Sequence, residues 1–406
     1  MNDAQQAVEA VARASYGRLL AYLCSETRDV AGAEDALSQA LLAALTSWPT
    51  DGIPRQPEAW LLTAARHRLI DQARRRTVRA EHVDTLQRLA EASAETAAPA
   101  DAFPDRRVEL LFVCAHPAID TALRAPLMLQ TVLGLDAARI AQAFLVPPAT
   151  MGQRLVRAKR KIREAAIPFL VPAEDELPER LAAVLDAVYA AFGLGWDDAA
   201  GADPRGQGLA DEAIWLGRVL RMRLPDAAEV RGLLALMLFC DARRAARRTP
   251  EGRYVPLSEQ DPAAWSAESI GEAERELAAA AKLGQIGRFQ LEAAIQSVHS
   301  ERARGGRTDW DAIAVFYERL LQLAPTLGAR VSQAAAVAEA RGPSAALPLL
   351  DVLDRGAVAI YQPYWAVRAH VTRMLGRADE ALDAYDRAIG LTEDPAIRQF
   401  LLERRG

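Results

Sequence analysis

Residues 154–163 hold six basic side chains and no acid: Arg154, Arg157, Lys159, Arg160, Lys161 and Arg163. Two of the three lysines in the whole chain fall in this one segment. A second basic run, residues 66–79, carries Arg66, Arg68, Arg74, Arg75, Arg76 and Arg79 against a single acid, Asp71. The chain as a whole has a net charge of −5, so these are two local positive stretches on an acidic background. The chemistry they suit is non-covalent neutralisation of phosphate.

Covalent chemistry finds little support in the residue types. His67, His82, His116, His299 and His370 show neither metal-ligand spacing nor an acid–base–nucleophile pattern. Cys24, Cys114 and Cys240 are far apart in sequence, which fits neither a disulfide framework nor a zinc site. Cys114 and His116 in FVCAHPAI come nearest to a reactive pair, but apolar flanks assign them to a core. The expectation is a protein that is not an enzyme and needs no metal or cofactor. No run of about 18 uncharged apolar residues exists, so no membrane span is expected. The N-terminus lacks a basic segment followed by an apolar one, and a cytoplasmic location is expected.

The elements that must position the basic stretches are helical. Ala, Leu, Arg and Glu recur at helical spacing almost throughout, which predicts an all-α chain. Helices are expected near 4–24, 31–47 and 57–78, with the Pro- and Gly-bearing segment SWPTDGIPRQP (47–57) as a loop. In the third helix Leu61, Leu62, Ala65 and Leu69 form an apolar arc. Met151, Leu155, Ala158 and Ile162 follow i, i+4, i+7, i+11 and give the first basic stretch a narrow apolar back. Thr150, Gln153, Arg157, Arg160 and Lys161 fall on its far side. Pro148 suits a first helical turn, and the preceding helix, 136–144, offers Ile140, Ala141 and Phe144 to a shared core. This reads as a helix-turn-helix. Thr150, Gln153, Arg154 and Arg157 are placed to reach base edges or nearby phosphates, and Lys159, Arg160 and Lys161 mainly phosphates. A solvated basic helix would share the stripe, but a second basic helix elsewhere in the chain favours nucleic acid.

The expected organisation is a first helical domain over 1–80, an acidic flexible linker over 81–105, a second over 106–168, and a helical extension over 175–406. The linker rests on EASAETAAPADAFPD, which has no apolar stripe. In the extension Gly342 and Gly376 lie 34 residues apart, the period of a tetratricopeptide helix pair. The segment WAVRAHVTRMLGRADEALDAYDRAI places Trp365, Ala369, Gly376, Ala381, Tyr385 and Ala388 at that repeat's packing positions. Pro348 interrupts the second helix of the middle unit. The expectation is a tetratricopeptide-like helical-hairpin solenoid.

With these segments in view, the chain resembles an extracytoplasmic-function sigma factor of the sigma-70 superfamily, in the group with a tetratricopeptide-like C-terminal extension. AWLLTAARHRLIDQARRR is similar to the −10-reading helix of the sigma-2 domain. PLMLQTVLGLDAARIAQAFLVPPATMGQRLVRAKRKI is similar to the −35-reading sigma-4 domain. The resemblance implies core RNA polymerase and promoter DNA as partners, and no membrane. It implies that the helix containing AEDALSQALLAAL docks on the polymerase clamp, with Asp35, Ser38 and Gln39 near the contact. It further implies that loop 47–57 captures an unstacked −10 base while Arg66, Arg68, Arg74, Arg75 and Arg76 hold DNA nearby. Ser38-Gln39 departs from the family's usual Gln followed by an acid. The extension is expected to regulate by holding the two preceding domains or by contacting polymerase, since solenoids present concave binding surfaces. The rival reading is a stand-alone helix-turn-helix regulator with a peptide- or ligand-binding solenoid.

Overall fold

A computed structural model of the chain describes residues 3–76, 103–144, 146–197 and 208–406. Among these residues there is no β-strand, only one isolated bridge between Arg248 and Tyr254, so the all-α expectation holds. Residues up to Trp196, together with 208–216, form one compact unit, and 217–406 form another.

In the first unit, α1 (Asp3–Thr27), α2 (Val30–Asp51) and α3 (Pro57–Arg76) pack on one another. The α1–α2 corner is sharp: Arg28 takes a left-handed φ of 55°, and Asp29 caps α2 by accepting from the Gly32 amide at 3.1 Å. An Asp in this position satisfies one of the orphan amides of the first turn. Leu19, Leu20, Leu23, Leu37 and Leu61 are sealed inside. Helix α2 runs past the expected start of the loop, through Pro49, and stops at Gly52 with φ 87°. Trp48 is therefore a core residue, edge-on to Trp60 at 5.6 Å.

Residues 77–102, most of the expected linker, lie outside the described residues. Its end is anchored rather than free, a correction to the expected span. Phe103 is buried, 5.4 Å from the Tyr22 ring and 4.1 Å beneath the Arg18 guanidinium. Four helices follow: α4 (Arg107–Cys114), α5 (Thr121–Thr131), α6 (Ala137–Ala143) and α7 (Pro148–Glu164). Phe112, Leu127, Ile140, Met151, Leu155 and Ile162 fill their shared interior. Phe144, expected there, is 38% exposed instead, because it stands at the C-cap of α6 where the chain turns away.

Helix α8 (Leu177–Asp197) and the first half of α9 (Leu209–Arg223) were expected to open the extension, yet they belong to the first unit. Arginines explain why. Arg180 is 1% exposed and donates to the Phe112 carbonyl at 2.6 Å, an acceptor in the last turn of α4. Arg124 pairs with Glu179 at 3.0 Å. Arg107 pairs with Glu212 and lies 3.9 Å over the Trp215 ring. A buried arginine looks like surface charge in a sequence, so the packing of this segment against α4 and α5 was not legible there.

The second unit begins with α10 (Ala228–Asp241), α11 (Ala267–Lys282) and α12 (Arg288–Ser300). Glu229 accepts from the Phe289 and Gln290 amides at 2.9 and 3.1 Å and so caps α12 from a distant helix. Gly287 permits this, since a Cβ there would sit 2.1 Å from the Glu229 carboxyl carbon. After α13 (Arg302–Gly305) come hairpins of α14 (Trp310–Leu323), α15 (Leu327–Arg341), α16 (Pro343–Asp351), α17 (Arg355–Ala359), α18 (Gln362–Met374), α19 (Ala378–Gly390) and α20 (Pro395–Arg405). Gly342 and Gly376 end α15 and follow α18 at φ 89° and 74°, conformations that favour glycine. Pro348 lies inside α16, which has only nine residues. Ala369, Ala381, Tyr385 and Ala388 are buried in the last hairpin.

Replacing Arg180 by Ala leaves the Phe112 carbonyl buried without its donor and opens a void. The expected cost is about 3 kcal/mol. It would be read as a lower urea midpoint of the first unit, and truncation after residue 170 should destabilise that unit further.

Candidate functional site

Helix α7 is built as a one-sided element. Pro148 occupies its first turn, where a missing amide hydrogen costs nothing, and Pro147 precedes it in extended backbone at φ −60°, ψ 138°. Met151, Leu155, Ala158 and Ile162 are each 5% exposed or less and lock the back of the helix onto α5 and α6. Gln153, Arg154, Arg157, Arg160 and Lys161 are exposed, and Thr150 is half-buried at the N-terminal end. Arg160 makes an i, i+4 pair with Glu164 at 3.4 Å, with both side chains more than half exposed, so it contributes little to stability. Among them stands Val156, 66% exposed. A row of amide, guanidinium, ammonium and one methyl-bearing group on a rigid helix has the donor set that major-groove reading requires.

Two of the residues read as phosphate contacts are placed elsewhere. Lys159 is buried, and its ammonium is bonded to the Glu34 carboxylate on α2. The neighbouring Arg163, half-exposed, reaches Asp29 at 3.3 Å. Arg66 is 4% exposed and forms a fork with Glu26, at 2.5 and 3.2 Å, while bonding the Tyr22 hydroxyl at 3.1 Å. Burial opposes the Arg66 charge, and the Glu26 hydrogen bond more than offsets this, holding its pKa above the ordinary value. Arg66 thus ties α3 to α1 and faces no solvent. Arg68 and His67 do face solvent. Arg74, Arg75 and Arg76 continue the backbone of α3, but their side chains lie outside the described residues, as does Arg79.

On α2, Asp35, Ser38 and Gln39 are all exposed on one face. The same face continues through Leu42, 63% exposed, and Leu45, 39% exposed. A stripe of this kind, with apolar residues amid polar ones, is what a protein partner covers. The loop after α2 presents Ile53, 45% exposed, beside exposed Arg55. Sequence periodicity pointed to none of Leu42, Leu45, Ile53 or Val156. The available signal was an apolar residue off the core stripe.

Cys114 carries no reactive signature. Its sulfur lies 3.5 Å from the Thr131 hydroxyl, and burial pushes its thiol up to about 12. Burial and then Arg180 hold His116 below the ordinary imidazole range. Among the described residues, no group of three or more His, Cys, Asp or Glu is placed to hold a metal ion, and no helix is long and apolar enough to cross a membrane.

Comparisons with known proteins add two regions and one relative. Residues 11–79 match sigma-70 region 2, a span that takes in most of α1 and all of α2 and α3. Residues 180–281 match a family of unknown function (DUF6596), beginning at the buried Arg180. The chain is 37% identical over 389 residues to an uncharacterized protein of Rhizobium meliloti (strain 1021), covering 95% of this chain and 91% of that one. No solved structure matches.

The two arginine classes should separate by experiment. Arg66→Ala strands the Glu26 charge and should cost about 3–5 kcal/mol in urea unfolding. Arg157→Ala should stay within about 0.5 kcal/mol of the parent protein, as exposed positions usually do.

Proposed function

We propose that this chain, whose region 2 match makes it a sigma-70 family member, is a sigma factor of the extracytoplasmic-function type. It binds core RNA polymerase and directs it to promoters, making no bond itself. The observation that carries this reading is the pairing of two outward faces in one chain: the α2 stripe inside the region 2 match, and the α7 row on its buried apolar back.

In this reading, Asp35, Ser38, Gln39, Leu42 and Leu45 meet the polymerase. Burying two leucines adds the apolar component that polar residues alone lack, on the order of 1.5–3 kcal/mol each if fully covered. The loop with Ile53 and Arg55 and the C-terminal half of α3, with Arg68, Arg74, Arg75 and Arg76, engage the −10 region. Strand opening costs a few kcal/mol per extruded base, and base capture with polymerase contacts offsets it. Helix α7 acts as the recognition helix of a helix-turn-helix at the −35 element. Thr150, Gln153, Arg154 and Arg157 lie toward its N-terminal end, where base edges are reached. Val156 suits a thymine methyl, and Arg160 and Lys161 suit phosphate.

The tetratricopeptide-like hairpins form a regulatory extension. Support comes from its leading segment, α8 and the start of α9, which is held by Arg180, Arg124 and Arg107 to the helices that carry α7. A stand-alone regulator would need the α7 face but would have no use for the α2 stripe.

Run-off transcription with core polymerase on a genomic fragment library tests the class and reveals the promoter. Leu42→Glu should weaken core-polymerase binding about tenfold or more, about 1.4 kcal/mol per decade, with duplex binding retained. Gln153→Ala and Arg157→Ala should do the reverse, and Arg157→Ala should lower the salt slope of duplex binding by about 0.9. Binding by Leu42→Glu at parental strength would remove the polymerase assignment of α2.

A further inference from the structure

Six cations are buried among the described residues: Arg66, Arg107, Arg124, Lys159, Arg180 and Arg243. The first five have a carboxylate partner, supplied by Glu26, by Asp105 and Glu212, and by Glu179, Glu34 and Glu176 in turn. Arg243, in the second unit just past the end of α10, has only neutral partners. Its Nη2 donates to the Gln296 amide oxygen at 2.5 Å and lies 3.9 Å from the Cys240 sulfur. Its Nη1 is buried with no hydrogen-bond partner. A charge taken out of water is ordinarily paired as well as hydrogen-bonded, so what Arg243 calls for is an anion.

The surrounding side chains do not supply one. Arg302 on α13 donates to the backbone carbonyls of Leu257, at 2.8 Å, and Gln260, and its guanidinium stands 5.1 Å from the centre of the Trp265 ring. The Ser266 amide donates to the Ala242 carbonyl at 2.9 Å, which sets the chain at Trp265 beside the chain at Arg243. Trp265 is 6% exposed, and its indole N–H also has no hydrogen-bond partner. His299 lies on α12, three residues after Gln296. Burial, and then the charges of Arg243 and Arg302, hold its pKa down to about 4, so the ring is neutral at pH 7. The nearby carboxylates are engaged elsewhere: Glu292 with Arg288 at 2.8 Å, Asp241 with Arg244, and the exposed Asp261 with the Ala263 amide at 2.9 Å.

The balance of charge and donors indicates the kind of anion. Asp261 acts against the charge of Arg302 and His299 is neutral, so the positive charge of Arg243 is left over. A monoanion matches that charge, and a phosphate dianion exceeds it. Guanidinium and indole N–H groups side by side suit the two oxygens of a carboxylate. The cluster reaches the surface through Gln296, His299 and Arg302, which are half-buried.

We propose that this cluster binds a small carboxylate, with Arg243 Nη1 and the Trp265 indole N–H as its donors and entry past Gln296 and His299. The site lies wholly within the second unit, so it does not rest on the sigma-factor reading. It gives the extension a chemical input of its own.

The test follows thermal unfolding of the full chain at pH 7 in sodium formate, acetate, lactate or inorganic phosphate, each against sodium chloride at equal ionic strength. A carboxylate at ten times its dissociation constant should raise the midpoint of the second unit by about 3–6 °C, and phosphate should raise it less. Gln296→Glu sets a carboxylate on Arg243 from within; it should raise the midpoint in chloride alone and abolish the response to carboxylate. Arg243→Gln should abolish the response with circular dichroism unchanged, and Gln296→Glu decides the matter should Arg243→Gln fail to fold. No shift with any of the three carboxylates, or the parental shift retained in either variant, would overturn the site. An equal or larger shift with phosphate would overturn the carboxylate assignment. A lower midpoint for Gln296→Glu in chloride would mean that Arg243 needs no counter-charge, and would overturn the site as well.

Discussion

The first unit depends on one close approach, α1 against the end of α5 at Gly17. Backbone meets backbone there, which only a residue without a Cβ allows. That approach brings α2 alongside α7 and puts Glu34 within reach of Lys159. A charge taken out of water is costly unless it is paired and hydrogen-bonded. The pair therefore persists only because the approach is close enough to hold both partners in register. The same condition governs Arg66 with Glu26 and Tyr22, and Arg107 with Glu212 beneath Trp215. At each junction a long side chain covers apolar surface with its stem and satisfies its head group at the far end.

Much of the fold was legible because helical burial is periodic. The apolar back of α7 was readable from i, i+4, i+7 and i+11, and all four residues are buried. The 34-residue interval between Gly342 and Gly376 marked two helix ends, and both glycines have the positive φ that makes glycine favourable there. Local signals end where burial depends on a partner distant in sequence. Lys159 lies about 70° from the centre of the α7 stripe at 100° per residue, a flank that is buried or solvated according to its neighbour. That neighbour, Glu34, is 125 residues away. No window of α7 contains it.

Arg66 differs, because a signal was present. It stands four residues after Leu62 and three before Leu69, so the apolar arc of α3 passes through it. A cation on an apolar arc calls for a buried anion, and Glu26 supplies it from α1. Arg180 hid in the same way the packing of α8 against α4. The Pro- and acid-rich stretch at 171–178 correctly marked a loop, but a loop does not reveal which body the next helix joins. The exposed Leu42 and Val156 invert the lesson: apolar residues off the stripe mark surfaces awaiting a partner.

Arginine and lysine make different kinds of junction in the first unit. Arginine presents a planar fork, and at Arg66 and Arg180 the fork is matched by a two-oxygen carboxylate, a phenol or a backbone carbonyl in fixed places. Such a site fixes the guanidinium plane as well as its charge. Lysine is a point charge on a flexible stem, indifferent to whether its acceptor is a carboxylate or a phosphate. This chain uses lysine three times, and one of the three is the residue that bridges α7 to α2. Geometry-bound arginines join α3 to α1 and α8 to α4, whereas the bridge from α7 to Glu34 of α2 rests on a lysine that demands no such fork.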